Sequence, residues 1–193
     1  MARSKAFDQG TVVTKAMEVF WSKGYEATSI QDLVDAMGIN RGSIYDTFGD
    51  KSGLFKAALE HYMEASPARQ LIAEASTAPP RKTIEDFITL HVETSCSPGG
   101  QRGCLMTNTL TELCSGDGDM AKMVGTRLRR MENALYILVR RGQDSGEISS
   151  AQDAHALARF LIATAQGIKT LAKVNPGRET LDDIANVALA SLD

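Results

Sequence analysis

Between Asn40 and Lys51 the chain reads "NRGSIYDTFGDK", an arginine, a serine, a tyrosine and a lysine set around a few apolar residues. The chemistry open to these groups is recognition. Arg41 carries a guanidinium fork, which matches the O6 and N7 acceptors of a guanine edge. Gly42 removes a side chain where a backbone and a groove need to approach. Ser43 and Tyr45 flank Ile44, and the tyrosine offers a rigid ring with a hydroxyl that can donate to a phosphate. Lys51 opens the next helix, whose unsatisfied N–H groups add to its charge in holding a phosphate. Thr28, ahead of the preceding helix, is placed to do the same across a groove.

These groups need helices to hold them. Val13, Ala16, Met17 and Phe20 fall at i, i+3, i+4, i+7, and Gly24 gives that helix a stop. Thr28 and Ser29 are capping types before Ile30, Leu33, Val34 and Met37, which repeat the helical spacing until Gly38. Asn40 can cap "RGSIYDTF", and Asp50 can cap a longer helix lined by Phe55, Ala58, Leu59 and Tyr62. Two helices joined by a short glycine-containing turn describe a helix-turn-helix, whose second helix enters the major groove. Read on periodicity alone, the pattern leaves a plain pair of packed helices open.

The remainder continues in helical periods. Thr83 can cap "IEDFITLHVETSC", and "SPGGQRG" is a loop. Helical stretches follow from Cys104 to about Cys114, from Asp119 to about Asp144, over 151–174 and over 180–192. No segment alternates like a strand. The reading is all-α with about nine helices: an N-terminal three-helix helix-turn-helix head over 1–50 and a helical bundle over 51–193. Stripes at Ala154, Leu157, Ala158, Leu161, Ile162, Ala165 and Ile168, and at Leu181, Ile184, Ala185, Ala188 and Leu192, suit either the core of one chain or a four-helix seam between two copies.

Composition narrows the class. The 193 residues are 43% hydrophobic and 23% charged with a net charge of −3, an ordinary soluble balance. No apolar run reaches membrane-spanning length and the N-terminus lacks a signal-peptide core, so a cytoplasmic protein with no membrane partner is expected. The head carries no basic excess, so any nucleic-acid contact rests on the placement of a few groups and not on bulk field. Cys96, Cys104 and Cys114 are an odd set that suits no disulfide framework. His61, His91 and His155 make no metal-ligand spacing with them, so neither a metal nor a cofactor is expected. No phosphate loop or nucleophile–histidine–acid spacing points to an enzyme.

The stretch "TSIQDLVDAMGINRGSIYDTFGDKSGLF", from Thr28 to Phe55, resembles the DNA-binding region of TetR-family transcriptional regulators. Thr28, Ile30, Gly38, the "GSIY" of 42–45, Phe48, Lys51 and Leu54–Phe55 carry the likeness, which spans about 8–60. It implies a homodimer whose heads bind double-stranded operator DNA and whose bundle takes a small-molecule effector, most simply as a repressor. By position Thr28, Tyr45 and Lys51 resemble the family's phosphate contacts, and Arg41 and Ser43 fall where its base contacts occur. Ser52 and Gly53 depart from the family's usual acidic residue after the lysine, and Gly53 costs about 1 kcal/mol against Ala within a helix, which suggests a loose helix start.

For the effector, Phe87, His91, Cys104, Asn108, Met123, Arg127 and Phe160 are candidate lining residues, against the plain alternative of core packing. "GCLMTNTLTELC" resembles a helix of a cysteine-bearing subset of the family, some of whose members sense electrophiles or oxidants. Cys104 at a helix N-terminus beside Arg102 is the redox candidate. An all-α carrier or enzyme with an incidental helix-turn-helix is the remaining alternative.

Overall fold

The computed structural model describes residues 8–113, 118–174 and 177–193. Cys114, and with it any bridge it makes, lies outside the described residues. Among them ten α-helices and one 3-10 turn appear and no strand. They are α1 (Gln9–Lys23), α2 (Ile30–Met37), α3 (Arg41–Phe48), α4 (Lys51–Ala65), α5 (Ala68–Glu74), α6 (Pro80–Cys96), α7 (Leu105–Leu113), α8 (Gly118–Ser145), α9 (Ala154–Leu171) and α10 (Arg178–Ala190), with the 3-10 turn at Gly100–Arg102. The chain forms two compact units. One holds α1 to α4 with the segment Asn108–Ala121; the other holds Ser66–Thr107 and Lys122–Asp193.

In the first unit each helix starts where a side chain satisfies an orphan N–H. The Asp8 carboxylate accepts the Thr11 N–H at 2.7 Å, and these bonds to Thr11 hold its pKa below the ordinary carboxylate value. Ser29 and Asp32 cap each other's backbone in a reciprocal box. Asn40 Oδ1 accepts the Ser43 N–H at 2.8 Å, and Asp50 Oδ1 accepts the Gly53 N–H at 2.8 Å. Val12, Val13, Ala16, Met17 and Phe20 from α1 meet Leu33, Ile44, Leu54 and Phe55 in one buried cluster. Phe20 and Phe55 pack edge to face at 4.8 Å between centroids, a geometry worth about 0.5–1.5 kcal/mol beyond area burial.

Gly53 has a steric reason that the sequence does not show. A Cβ there would stand 2.0 Å from the Phe48 carbonyl oxygen. The expected looseness at the start of α4 is therefore replaced by a close approach of α4 to the end of α3. α4 packs on α1 and falls in the first unit, which runs to Ala65.

In the second unit α6 packs on α9 and α10, and α5 packs on α6. α6 begins at Pro80 and not at Thr83, because a proline at the first helical position loses only an N–H that has no partner anyway. Arg141 Nη1 donates to the Ala75 and Ala78 carbonyls at 2.9 and 2.7 Å, tying off the end of α5. Arg81 reaches Asp193 at 2.7 Å and fixes the C-terminus to α6. The two apolar stripes read from the sequence supply this core: Ala154, Leu157, Ala158, Leu161, Ala165 and Ile168, with Leu181, Ala185, Ala188 and Leu192, are buried within one chain. Ile162 and Ile184 are half-buried. The large apolar groups left outside are Phe160 and Leu171 on α9, Val187 on α10, and Val174 just after α9. Among the described residues no helix is long and apolar enough to cross a membrane.

Candidate nucleic-acid interface

α3 is only eight residues long, and its amphipathicity is minimal: Ile44 alone among its residues is fully buried, at 0% exposure. That single anchor turns the rest of the helix outward. Arg41, Gly42, Tyr45 and Asp46 are exposed, Tyr45 to 44%, and Ser43 is half-buried with its N–H taken by the Asn40 cap. The exposed face therefore carries a fork-shaped donor, an open backbone position and a phenol within two turns.

Lys51 is held by the α1–α2 loop. Its Nζ lies 3.4 Å from the Glu26 carbonyl oxygen and 4.4 Å from the centroid of the Tyr25 ring. Tyr25 in turn packs on Phe55 at 4.9 Å. A cation seated on a carbonyl and a ring face keeps its charge at the surface with less freedom than a lysine in water. Thr28 sits differently from expectation. It is 1% exposed and its hydroxyl donates to the Gly24 carbonyl at 2.5 Å. Its side chain locks the loop and does not face solvent.

Glu112, on the last turn of α7, completes the loop. Its two carboxylate oxygens accept the Tyr25 N–H at 3.0 Å and the Glu26 N–H at 2.8 Å. Bonds to an ionised acceptor are roughly twice as strong as neutral ones. Gly24, at φ +85°, makes room: a Cβ there would stand 3.0 Å from both carboxylate oxygens. Neither Tyr25 nor Glu26 stood out in the sequence. Glu112 did so only as part of a resembling helix, because a contact over 86 residues leaves no periodic trace.

The effector candidates are dispersed. In the second unit Phe87 is buried and meets His91 edge-on at 4.4 Å. His91 Nδ1 donates to the Phe87 carbonyl at 2.7 Å, which fixes the tautomer. Burial, the largest cause, pushes its pKa down to about 4, so the ring is neutral at pH 7. Cys104 and Arg127 are each 6% exposed, Met123 is half-buried, and Phe160 stands apart at 45% exposed on α9. Asn108 belongs to the first unit, where it is half-buried. Lys169 Nζ donates to Thr94 Oγ1 at 2.5 Å. Burial, the largest cause, lowers the pKa of this lysine. Phe87 also borders an open cleft between α5 and α6, with Pro67, Leu71, Glu74, Thr83 and Asp86. Among the described residues no group of three or more His, Cys, Asp or Glu side chains gathers as a metal site.

A capped head that turns Arg41 and Tyr45 outward on a short second helix defines a helix-turn-helix regulator. Residues 12–58 match the bacterial regulatory proteins of the tetR family, and residues 80–187 match the tetracyclin repressor-like C-terminal domain. The chain belongs to the TetR family of transcriptional regulators, which are DNA-binding proteins and not enzymes. It is 33% identical to the HTH-type transcriptional regulator YezE of Bacillus subtilis over the full length of both chains. It is 34% identical to the HTH-type transcriptional repressor ComR of Escherichia coli, covering 97% of this chain and 90% of that one. A cysteine mutant of the regulator CifR, solved with 26bp double-strand operator DNA, superposes with a TM-score of 0.83 at 30% identity, covering 99% of this chain and 100% of that one.

Proposed function

We propose that this protein is a cytoplasmic one-component repressor that binds operator DNA as a homodimer and is released by a small-molecule effector. The observation that carries this is the outward face of α3, with Arg41 and Tyr45 exposed around a single buried anchor, beside a seated Lys51. Relatives named as repressors and a neighbour solved on operator DNA support the same reading. Arg41 and Ser43 read base edges, with Gly42 allowing the backbone close, while Tyr45 and Lys51 hold phosphates. Phe87 and His91 form the apolar and aromatic part of the effector site.

The test is retardation of the DNA upstream of the protein's own gene. Lys51→Ala is expected to weaken binding to every sequence alike and to lower the slope of affinity against salt by about one. Arg41→Ala is expected to relax base preference by about 1–3 kcal/mol at one position. Wild-type affinity and selectivity in both variants would remove this surface from the interface.

A second reading is favoured by one arrangement in the bundle, a buried Cys104 within electrostatic reach of Lys169. Here the signal is an oxidant or electrophile acting on the Cys104 thiol at the start of α7. DNA release by mild oxidant is then lost in Cys104→Ser. A response unchanged by that substitution excludes Cys104 from the switch.

A further inference from the structure

We propose that Glu112 is a positioning residue for DNA binding: from α7 its carboxylate fixes the Tyr25–Glu26 backbone, that backbone seats Lys51, and displacement of α7 withdraws a phosphate contact. The inference rests on the DNA-binding reading above and adds to it the element through which release acts.

The geometry forms one chain of contacts inside the first unit. Both Glu112 oxygens are used, at 3.0 and 2.8 Å, and both donors are backbone N–H groups of consecutive residues. The same two residues hold Lys51: Glu26 through its carbonyl at 3.4 Å and Tyr25 through its ring at 4.4 Å. Thr28, two residues beyond, ties its hydroxyl to Gly24 and its N–H to Tyr25. Residues 24–28 therefore adopt one conformation when the carboxylate is present. Without it two adjacent N–H groups lose an ionised acceptor and turn to water.

The position on α7 gives the contact a regulatory meaning. α7 begins at Leu105, directly after Cys104, and Glu112 lies seven residues further along the same helix, about 10 Å of rise. A helix moves as a rigid element, so a shift or rotation of α7 carries the carboxylate with it. Hydrogen bonds weaken steeply with misalignment, so a displacement of about 1 Å is enough to break the pair. The loop then loosens and Lys51 loses its seat. Release through this route needs no change in the separation of two heads.

The experiment is a double-mutant cycle on the full-length protein, read by operator retardation, with thermal unfolding as a control. Glu112→Ala is expected to weaken operator binding about tenfold, and Glu112→Gln, which keeps one acceptor oxygen, by less. The Glu112→Ala/Lys51→Ala pair is expected to bind about as weakly as Lys51→Ala alone. Glu112→Ala combined with Arg41→Ala should instead multiply the two losses. Unaltered binding in Glu112→Ala overturns the inference, as does multiplication of its loss with Lys51→Ala. If Glu112→Ala does not fold, the same cycle with Glu112→Gln decides by the same criterion. A wild-type protein that retards no operator overturns the DNA-binding reading itself, whereas operator binding by wild type with no effect at Glu112 overturns this inference alone.

Discussion

Val187→Asp is expected to give a folded monomer whose operator affinity is lower by two to four orders of magnitude. Val187 is 70% exposed on α10, so its removal takes little from the fold of one chain. Phe160, at 45%, and Leu171, at 43%, repeat on one face of α9, and Val174, at 83%, follows just beyond its end. These groups are exposed in the single chain on or next to two helices that pack together, and the inward stripes are already used by the core. A second copy of this chain is the partner that the family supplies. A carboxylate placed in such a seam must be desolvated without a partner, which costs several kcal/mol. The consequence for DNA follows from linkage. Joining two heads makes the second contact intramolecular and raises the affinity of the pair about 10²–10⁴-fold over either head. Light scattering at micromolar concentration and retardation on the same samples check both halves of the prediction. A Val187→Asp dimer with unchanged operator affinity removes α10 from the seam.

Ile44→Ala is expected to abolish DNA binding while leaving the second unit folded and dimeric. Ile44 is the one side chain that anchors α3. Truncating a fully buried isoleucine costs about 2–5 kcal/mol in transfer and cavity terms. Whole domains are stable by only about 5–15 kcal/mol, and a small head lies at the low end. An eight-residue helix has no stability of its own. The thermal unfolding of this variant should split, with an early loss of head helicity and a later transition at the wild-type temperature. Tyr45→Phe makes the contrast. Tyr45 is exposed, so its hydroxyl is expected to matter for DNA and not for unfolding. An Ile44→Ala protein that binds operator normally means that α3 is not the reading element.

The local rules of helix ends made most of the fold legible. Ser29, Asn40 and Asp50 are caps in the sequence and caps in the structure, and Gly24 and Gly38 end the helices they were expected to end. Ile44 was readable as the inward residue of α3 because it is the one aliphatic side chain in "RGSIYDTF". The stripes of α9 and α10 were ambiguous for a physical reason. Apolar residues at helical spacing suit a chain's own core and a seam between copies equally, and only burial separates the two. Gly53 looked like a weakness because its neighbour, the Phe48 carbonyl, approaches through the turn between α3 and α4. Thr28 has the polarity of a phosphate ligand, yet its hydroxyl bonds four residues back, a choice set by the loop conformation. Glu112 was the least legible of all, since its role depends on α7 meeting a loop from the far end of the chain.

The most direct test of the central claim is a hydroxyl-radical footprint of the wild-type protein on the DNA upstream of its own gene. The account predicts two protected half-sites on one face of the duplex, separated by one helical turn or a multiple of it, with guanine contacts that vanish in Arg41→Ala. Protection of a single half-site, or a sequence-independent pattern at moderate salt, contradicts it.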